Sequence, residues 1–230
     1  MRILIIVAFT VLLGPLVRGQ QIFVQGGMLR SEFLYKNSKG ERIEGLVPLK
    51  NFAMAAGIRK PFKKFDSKWF YLLGATYEVY ATRGTSQDAY RNYYEWKATY
   101  LGVSAGVERD LFTIRSRRKN NKGTTFFTRL AVNPAFLIKG SQTLNNDVYD
   151  LRGTEQFNAP YLFGRATFGA NYCVSNRVAI IGEYSFAQGL RMPINVGDDE
   201  EKLGYRAHVF TTGVVIALNN CRYCLTQFAK

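Results

Sequence analysis

The residues that could do chemistry are few. His208 is the only histidine of the 230-residue chain, so any histidine-dependent nucleophile must work through it. Three cysteines are too few, and odd in number, for a disulfide-built scaffold. Cys221 and Cys224 form "CRYC" without the strand-helix context of a thioredoxin-type motif. A disulfide between Cys221 and Cys224 is the preferred reading, with Cys173 left over; Cys173 joined to Cys221 is the other. The acidic run "GDDEE" at 197–201 could hold a divalent cation, but such a run is more often only a solvated loop tip, which is the preferred reading. The 21 glycines are scattered, with no phosphate-cradling loop, dinucleotide fingerprint or metal-ligand spacing among them. No catalytic set, metal or cofactor is expected.

A second kind of residue raises a sharper question. In "FGANYCVSNRVAIIGEYSFAQGLR", residues 168 to 191, two alternating apolar runs meet at Ser175-Asn176, and Glu183 lies at the centre of the second. The answer depends on the elements that hold it. Period-two runs rich in aromatic and β-branched residues recur at about 22–32, 48–60, 68–82, 96–109, 124–139, 160–174, 177–190 and 205–219. Eight strands follow, longer than the ~5–6 residues of an ordinary globular strand and matched to the ~9–11 residues of a tilted membrane-crossing one. The second and third strands, and the sixth and seventh, are joined by short links, "PFKKFDS" and "SN". Longer polar segments such as "KGSQTLNNDVYDLRGTEQFNA" join most other pairs. Short turns at one end and long loops at the other is the asymmetry of outer-membrane barrels. "DLFTIRSRRKNNKG" departs from it: either the fourth and fifth strands run on to a tight "KNNKG" turn, or this is a long basic loop.

Splitting the strands by parity gives Glu183 a direction, because neighbouring side chains point to opposite sides of a sheet. Val178, Ile180, Tyr184, Phe186 and Leu190 share one face, while Ala179, Ile181, Glu183, Ser185 and Ala187 share the other. The first set suits lipid, so Glu183 faces the inside. The same parity turns Glu78, Glu108, Arg129 and Arg165 inward, and a paired lumen charge network is the expectation, because an unpaired buried charge is costly. At eight strands the interior is narrow enough for side chains to fill it, so a plugged barrel is predicted. A soluble lipocalin-type barrel, with the apolar face around a ligand cavity, is the rival reading. Against it stand Trp69, Tyr71, Tyr172 and Tyr184, placed on the apolar face towards strand ends as in an interfacial girdle, and the many small residues on the opposite face.

The hairpin "GANYCVSNRVAIIGEYSF", a long polar loop and the closing strand "YRAHVFTTGVVIAL" resemble small outer-membrane β-barrel proteins of the OmpX and OmpA-barrel kind, particularly the version common in Bacteroidota. The resemblance is concentrated in residues 160 to 219. It implies an all-β, eight-stranded antiparallel up-and-down transmembrane barrel with both termini in the periplasm of a Gram-negative cell. It implies no single activity, since members act in adhesion, envelope tethering, secretion or motility. Some outer-membrane barrels modify lipid A with a histidine and a serine on the lipid-facing wall. His208 shares that wall with Phe210 and Val214, but no nearby serine and carboxylate completes the set, and a girdle histidine touching lipid phosphate is the preferred reading. Such barrels usually finish on an aromatic residue, whereas here "NNCRYCLTQFAK" follows the last strand and Phe228 is a late substitute.

At the level of the whole chain, residues 1–20 read as a signal peptide, with Arg2 as the positive region, Ile3 to Leu13 as the apolar core, and Val17 and Gly19 before the cut. The apolar run is short of the ~20 residues a spanning helix needs. Residues 21–220 form the barrel and 221–230 a periplasmic extension or the end of the last strand. Removing Arg2 and Arg18 lowers the net charge from +14 to +12, which suggests anionic partners. Export to the cell outer membrane favours lipids, lipopolysaccharide or an envelope protein over nucleic acid. Lys63, Lys64, Arg115, Arg117, Arg118 and Lys119 gather at the short-turn end as a basic periplasmic collar, which could grip headgroups or an acidic partner, or be merely solvated. The functional expectation is a non-enzymatic structural or interaction protein. A lipid A-modifying enzyme, a soluble ligand-binding barrel and a narrow solute channel are the alternatives.

Overall fold

A computed structural model of the chain describes residues 20–36, 45–62, 68–85, 93–115, 123–145, 147–152, 160–175, 177–191 and 202–218. Eight strands make the wall: β1 (Gln21–Lys36), β2 (Val47–Pro61), β3 (Trp69–Thr85), β4 (Tyr93–Arg115), β5 (Gly123–Leu144), β7 (Tyr161–Cys173), β8 (Val178–Arg191) and β9 (Lys202–Ala217). A ninth, β6 (Asp147–Asp150), is an addition that sequence reading left in a loop. Each wall strand pairs antiparallel with its neighbours in the chain, β4 pairs β5, and β9 returns to β1. The sheet is therefore a closed eight-stranded antiparallel barrel without a free edge in its wall.

Parity assigns the two faces along most of the wall. Along β7 and β8 the even positions Leu162, Phe168, Tyr172, Ile180 and Tyr184 are exposed, while Phe163, Thr167, Asn171, Ile181, Glu183 and Ser185 are buried. β4 and β5 run on to Arg115 and from Gly123, so both strands continue into "DLFTIRSRRKNNKG"; the turn expected at "KNNKG" lies outside the described residues. A register shift between Asp110 and Phe112 accompanies that extension and turns both Leu111 and Phe112 outward. At the other end β5 folds back on itself through Asn145, whose positive φ of 54° suits the short polar turn to β6. Asn145 also binds Tyr93 twice, its amide donating to the Tyr93 carbonyl at 2.7 Å and its side-chain oxygen accepting from the Tyr93 amide at 3.0 Å. Just past the hairpin, Arg152 donates to the Asp150 carboxylate and holds its pKa below the usual range.

One stretch of wall is irregular. β2 loses register with β3 between Pro48 and Ala53. Opposite that break, the backbone of Ala81 is served by a side chain instead: Ser31 of β1 donates to the Ala81 carbonyl at 3.0 Å and accepts from its amide at 2.9 Å. A serine thus substitutes for the missing rungs of the ladder and keeps both polar groups satisfied.

Candidate functional site

The buried charges form two clusters inside the barrel. The larger is a chain of alternating sign drawn from four strands. Asp110 of β4 meets Arg59 of β2 at 3.2 Å, and Arg59 also pairs with Glu108 of β4. Glu108 receives Arg129 of β5 at 2.8 Å, and Arg129 reaches on to Glu183 of β8 at 3.0 Å. Neutral donors and acceptors complete the ends: Gln25 and Thr211 donate to Glu183 at 2.6 and 3.2 Å, and Gln21 accepts from Arg59 at 3.0 Å. The smaller cluster pairs Arg165 of β7 with Glu78 of β3, whose other oxygen accepts from Tyr80 at 2.7 Å.

Aromatic layers flank these charges. Tyr80, Tyr100, Tyr161, Phe163 and Tyr205 pack together towards the long-loop end, with ring centroids 4.8 to 6.1 Å apart. Tyr100 and Tyr205 share a hydroxyl hydrogen bond of 3.0 Å. Towards the short-turn end, Phe23, Phe70 and Phe127 line the guanidiniums, the Arg59 Cζ lying 3.8 Å from the Phe70 ring centre. Small residues make the room. A Cβ on Gly169 would lie 2.4 Å from Phe127 and 2.9 Å from Glu183. Asn133 and Asn171 are also buried on this inner face.

Glu78, Glu108, Arg129, Arg165 and Glu183 thus all lie on the inner wall and in ionic contact. Two members were missed. Arg59, which stands next to Lys60 at the end of β2 and is absent from the expected network, turns inward at 2% exposure. Asp110 was read as the start of a loop. Parity could have found both, since Arg59 follows Ala53, Ala55 and Gly57 on one face, and Asp110 follows Glu108.

The other candidates fare differently. Of the collar, Lys63, Lys64, Arg117, Arg118 and Lys119 lie outside the described residues, as do the acidic run at 197–201 and residues 1–19; Arg115 is the last residue of β4. Cys173 is disulfide-bonded. A chain with three cysteines cannot then also join Cys221 to Cys224, so that preferred pairing is corrected; both remaining cysteines lie outside the described residues. His208 stands on the outer wall, its Nδ1 2.7 Å from the Tyr184 hydroxyl. Ser31 and Glu32 line the same surface groove, but Ser31 is engaged with Ala81 and Glu32 faces Arg206 at 3.9 Å. Among the described residues no group of three histidine, cysteine or carboxylate side chains could hold a metal ion.

Comparison with known proteins gives the architecture a context. No protein-family model matches the chain, and no curated protein matches it. Solved outer-membrane barrels do. The neisserial surface protein A is 14% identical, covering 85% of this chain and 96% of that one at a TM-score of 0.41. The outer membrane protein OprG from Pseudomonas aeruginosa is 11% identical over 86% and 96%, with a TM-score of 0.46. Ail, the attachment invasion locus protein of Yersinia pestis, in complex with the heparin analogue sucrose octasulfate, is 10% identical over 86% and 99%, at 0.39. The fold assignment rests on the strand pairing of this chain itself.

Proposed function

We propose that the chain is an outer-membrane barrel with a plugged lumen, exported by its N-terminal signal and acting as a structural or interaction protein of the envelope. The observation that carries this reading is the inside-out distribution of polarity. Leu130, Phe136, Leu190 and Phe168 are 52 to 67% exposed on the outer wall, whereas Arg59, Glu108, Arg129 and Glu183 are no more than 8% exposed within. A soluble protein rarely exposes contiguous apolar patches beyond a few hundred Å², but a bilayer solvates such a surface. A carrier of lipocalin type needs the opposite arrangement, with the apolar set around its cavity.

The ionic chain and the aromatic layer favour a closed interior over a conducting one. Guanidiniums locked to carboxylates that reach them mostly from non-adjacent strands, beneath packed tyrosines, leave few free charges to coordinate a passing solute. The basic collar at the short-turn end, with Lys63, Lys64, Arg115, Arg117, Arg118 and Lys119, supplies a surface for headgroup phosphates or an acidic envelope partner. An Arg117→Ala, Arg118→Ala, Lys119→Ala variant is expected to lose such partners in pull-downs from solubilised envelopes.

Membrane fractionation combined with gel mobility before and after heating tests the central reading. The expected result is recovery in the detergent-extracted outer membrane, with a mobility that changes when the barrel is unfolded by boiling. Recovery in the aqueous periplasm without detergent overturns it. Planar-bilayer recordings should show no discrete conductance, and steps that change in a Glu183→Gln variant would replace the plugged barrel with a channel.

A further inference from the structure

The outer wall carries a feature that the interior does not explain. Register aligns Lys50 of β2 with Arg30 of β1, Arg30 with His208 of β9, and His208 with Phe186 of β8. Lys50, Arg30 and His208 are all exposed on the outer wall. The next outward row towards the short-turn end is Phe52, Met28, Phe210 and Tyr184, aromatic or apolar in body and 37 to 54% exposed. On the long-loop side, Glu32 and Arg206 face each other and offset each other's charge. Among the described residues neither Arg30 nor Lys50 makes an ion pair with a carboxylate.

Two hollows follow these rows. The first, about 450 Å³, is lined by Arg30, Lys50, His208, Met28, Tyr184 and Phe210, with Pro48 at the place where β2 leaves register with β3. The second, about 580 Å³, shares Tyr184 and Phe210 with the first and runs towards the short-turn end over Gly26, Gly182 and Ala170 beside Phe168. An added Cβ at Gly182 would meet nothing within 4 Å, so this floor is open because its residues are small.

Height fixes what could lie there. From Gln21 to Leu29 β1 spans nine residues, which at ~3.3 Å each and a tilt of ~40° rise roughly 23 Å, close to the ~25 Å apolar band of such barrels. The basic row then begins where acyl chains give way to headgroups. Two cations and a ring from adjacent strands suit an anion with more than one charge and several oxygens, which a phosphate provides and a lone carboxylate does not. With Nδ1 held by the Tyr184 hydroxyl, Nε2 is the ring nitrogen left to meet such an anion.

We infer that Arg30, Lys50 and His208 form a binding site for the phosphate of a membrane acyl lipid, one of whose chains lies in the glycine-floored hollow below. This rests on the proposed outer-membrane location. Lipid specificity then belongs to the wall of the barrel, with the register break in β2 shaping the headgroup end.

Native mass spectrometry of the full-length protein in detergent micelles tests the site, with dipalmitoyl phosphatidic acid, dipalmitoyl phosphatidylcholine and inorganic phosphate as probes. The expected result is a preference of roughly tenfold or more for phosphatidic acid over phosphatidylcholine, from two cations at headgroup height. The Arg30→Gln, Lys50→Gln variant should lose the preference, and Arg30→Lys should keep most of it. Gly182→Leu should weaken both lipids while leaving their ratio intact. Equal binding of the two lipids by the unaltered protein overturns the proposal without recourse to any variant. So does a preference undiminished in the glutamine variant, or inorganic phosphate binding as tightly as phosphatidic acid. Recovery in the aqueous fraction would defeat the location itself, whereas a membrane-extracted, heat-modifiable protein without lipid preference defeats the lipid site alone.

Discussion

Glu108 is the carboxylate with the most at stake, because it separates two buried guanidiniums, Arg59 and Arg129. Neutralising it leaves two cations facing each other without an intervening charge. Removing one partner of a buried ion pair typically costs ~3–5 kcal/mol, because the desolvated charge left behind has no compensation. Because Arg59 keeps Asp110 and Arg129 keeps Glu183, Glu108→Ala is expected to destabilise the folded barrel by at most about that amount, read as a lower midpoint in urea titration of the refolded protein. Replacing both members of the Arg165 and Glu78 pair with Met and Leu should cost less than Glu78→Ala alone, since two apolar residues require no partner. Gly169 makes a different demand. A valine there would drive Cβ into Phe127 and Glu183, so Gly169→Val should destabilise by ~1–3 kcal/mol, as overpacked interiors do. Thiols can be counted directly. With Cys173 in a disulfide, one of the three cysteines stays free, and alkylation of the unreduced, unfolded chain should add a single adduct by mass spectrometry.

At the scale of elements, the alternating pattern makes the wall legible in the sequence itself. Lipid-facing Phe168 and Ile180, and inward Glu183, follow from parity alone, because one face of each strand is apolar enough to pin its orientation. What parity could not deliver was the break between Pro48 and Ala53. Nothing in "VPLKNFAM" distinguishes a bulged strand from a regular one, and the serine that repairs the gap comes from β1, outside the β2–β3 hairpin. Ser31→Ala removes both bonds to Ala81 and leaves a buried amide and carbonyl unpaired, at ~1–3 kcal/mol for each. Its expected signature is faster hydrogen exchange at Ala81 with the rest of the barrel unchanged. The β5–β6 hairpin was legible in principle, since Asn145-Asn146 between alternating residues is a turn signal. Yet β6 is only four residues long and exposed on both faces, so no apolar alternation marks it as a strand.

At the scale of the whole molecule, the eight-stranded count was readable from long period-two runs separated by alternating short and long links. Arg59 escaped because it stands two residues before a strand end amid Lys60, Lys63 and Lys64, where composition suggested a solvated group and only its parity spoke otherwise. The lipid contact of the wall can be tested independently of any partner. Spin labels at Phe168, Ile180 and Val214, all exposed on the outer surface, should be protected from polar relaxation agents and accessible to oxygen in reconstituted bilayers; an aqueous environment at these positions would refute the bilayer assignment.

The alternating chain of charges has a consequence for how the protein comes into being. Its members are dispersed over β2, β4, β5 and β8, and its neutral ends over β1 and β9. No single hairpin holds the whole chain, so a partly built sheet entering hydrocarbon would carry ions parted from their partners. Half-finished intermediates are thereby penalised, and the seam between first and last strand must be sewn almost as insertion occurs. The interior acts as a checkpoint on assembly, admitting the completed cylinder and little short of it.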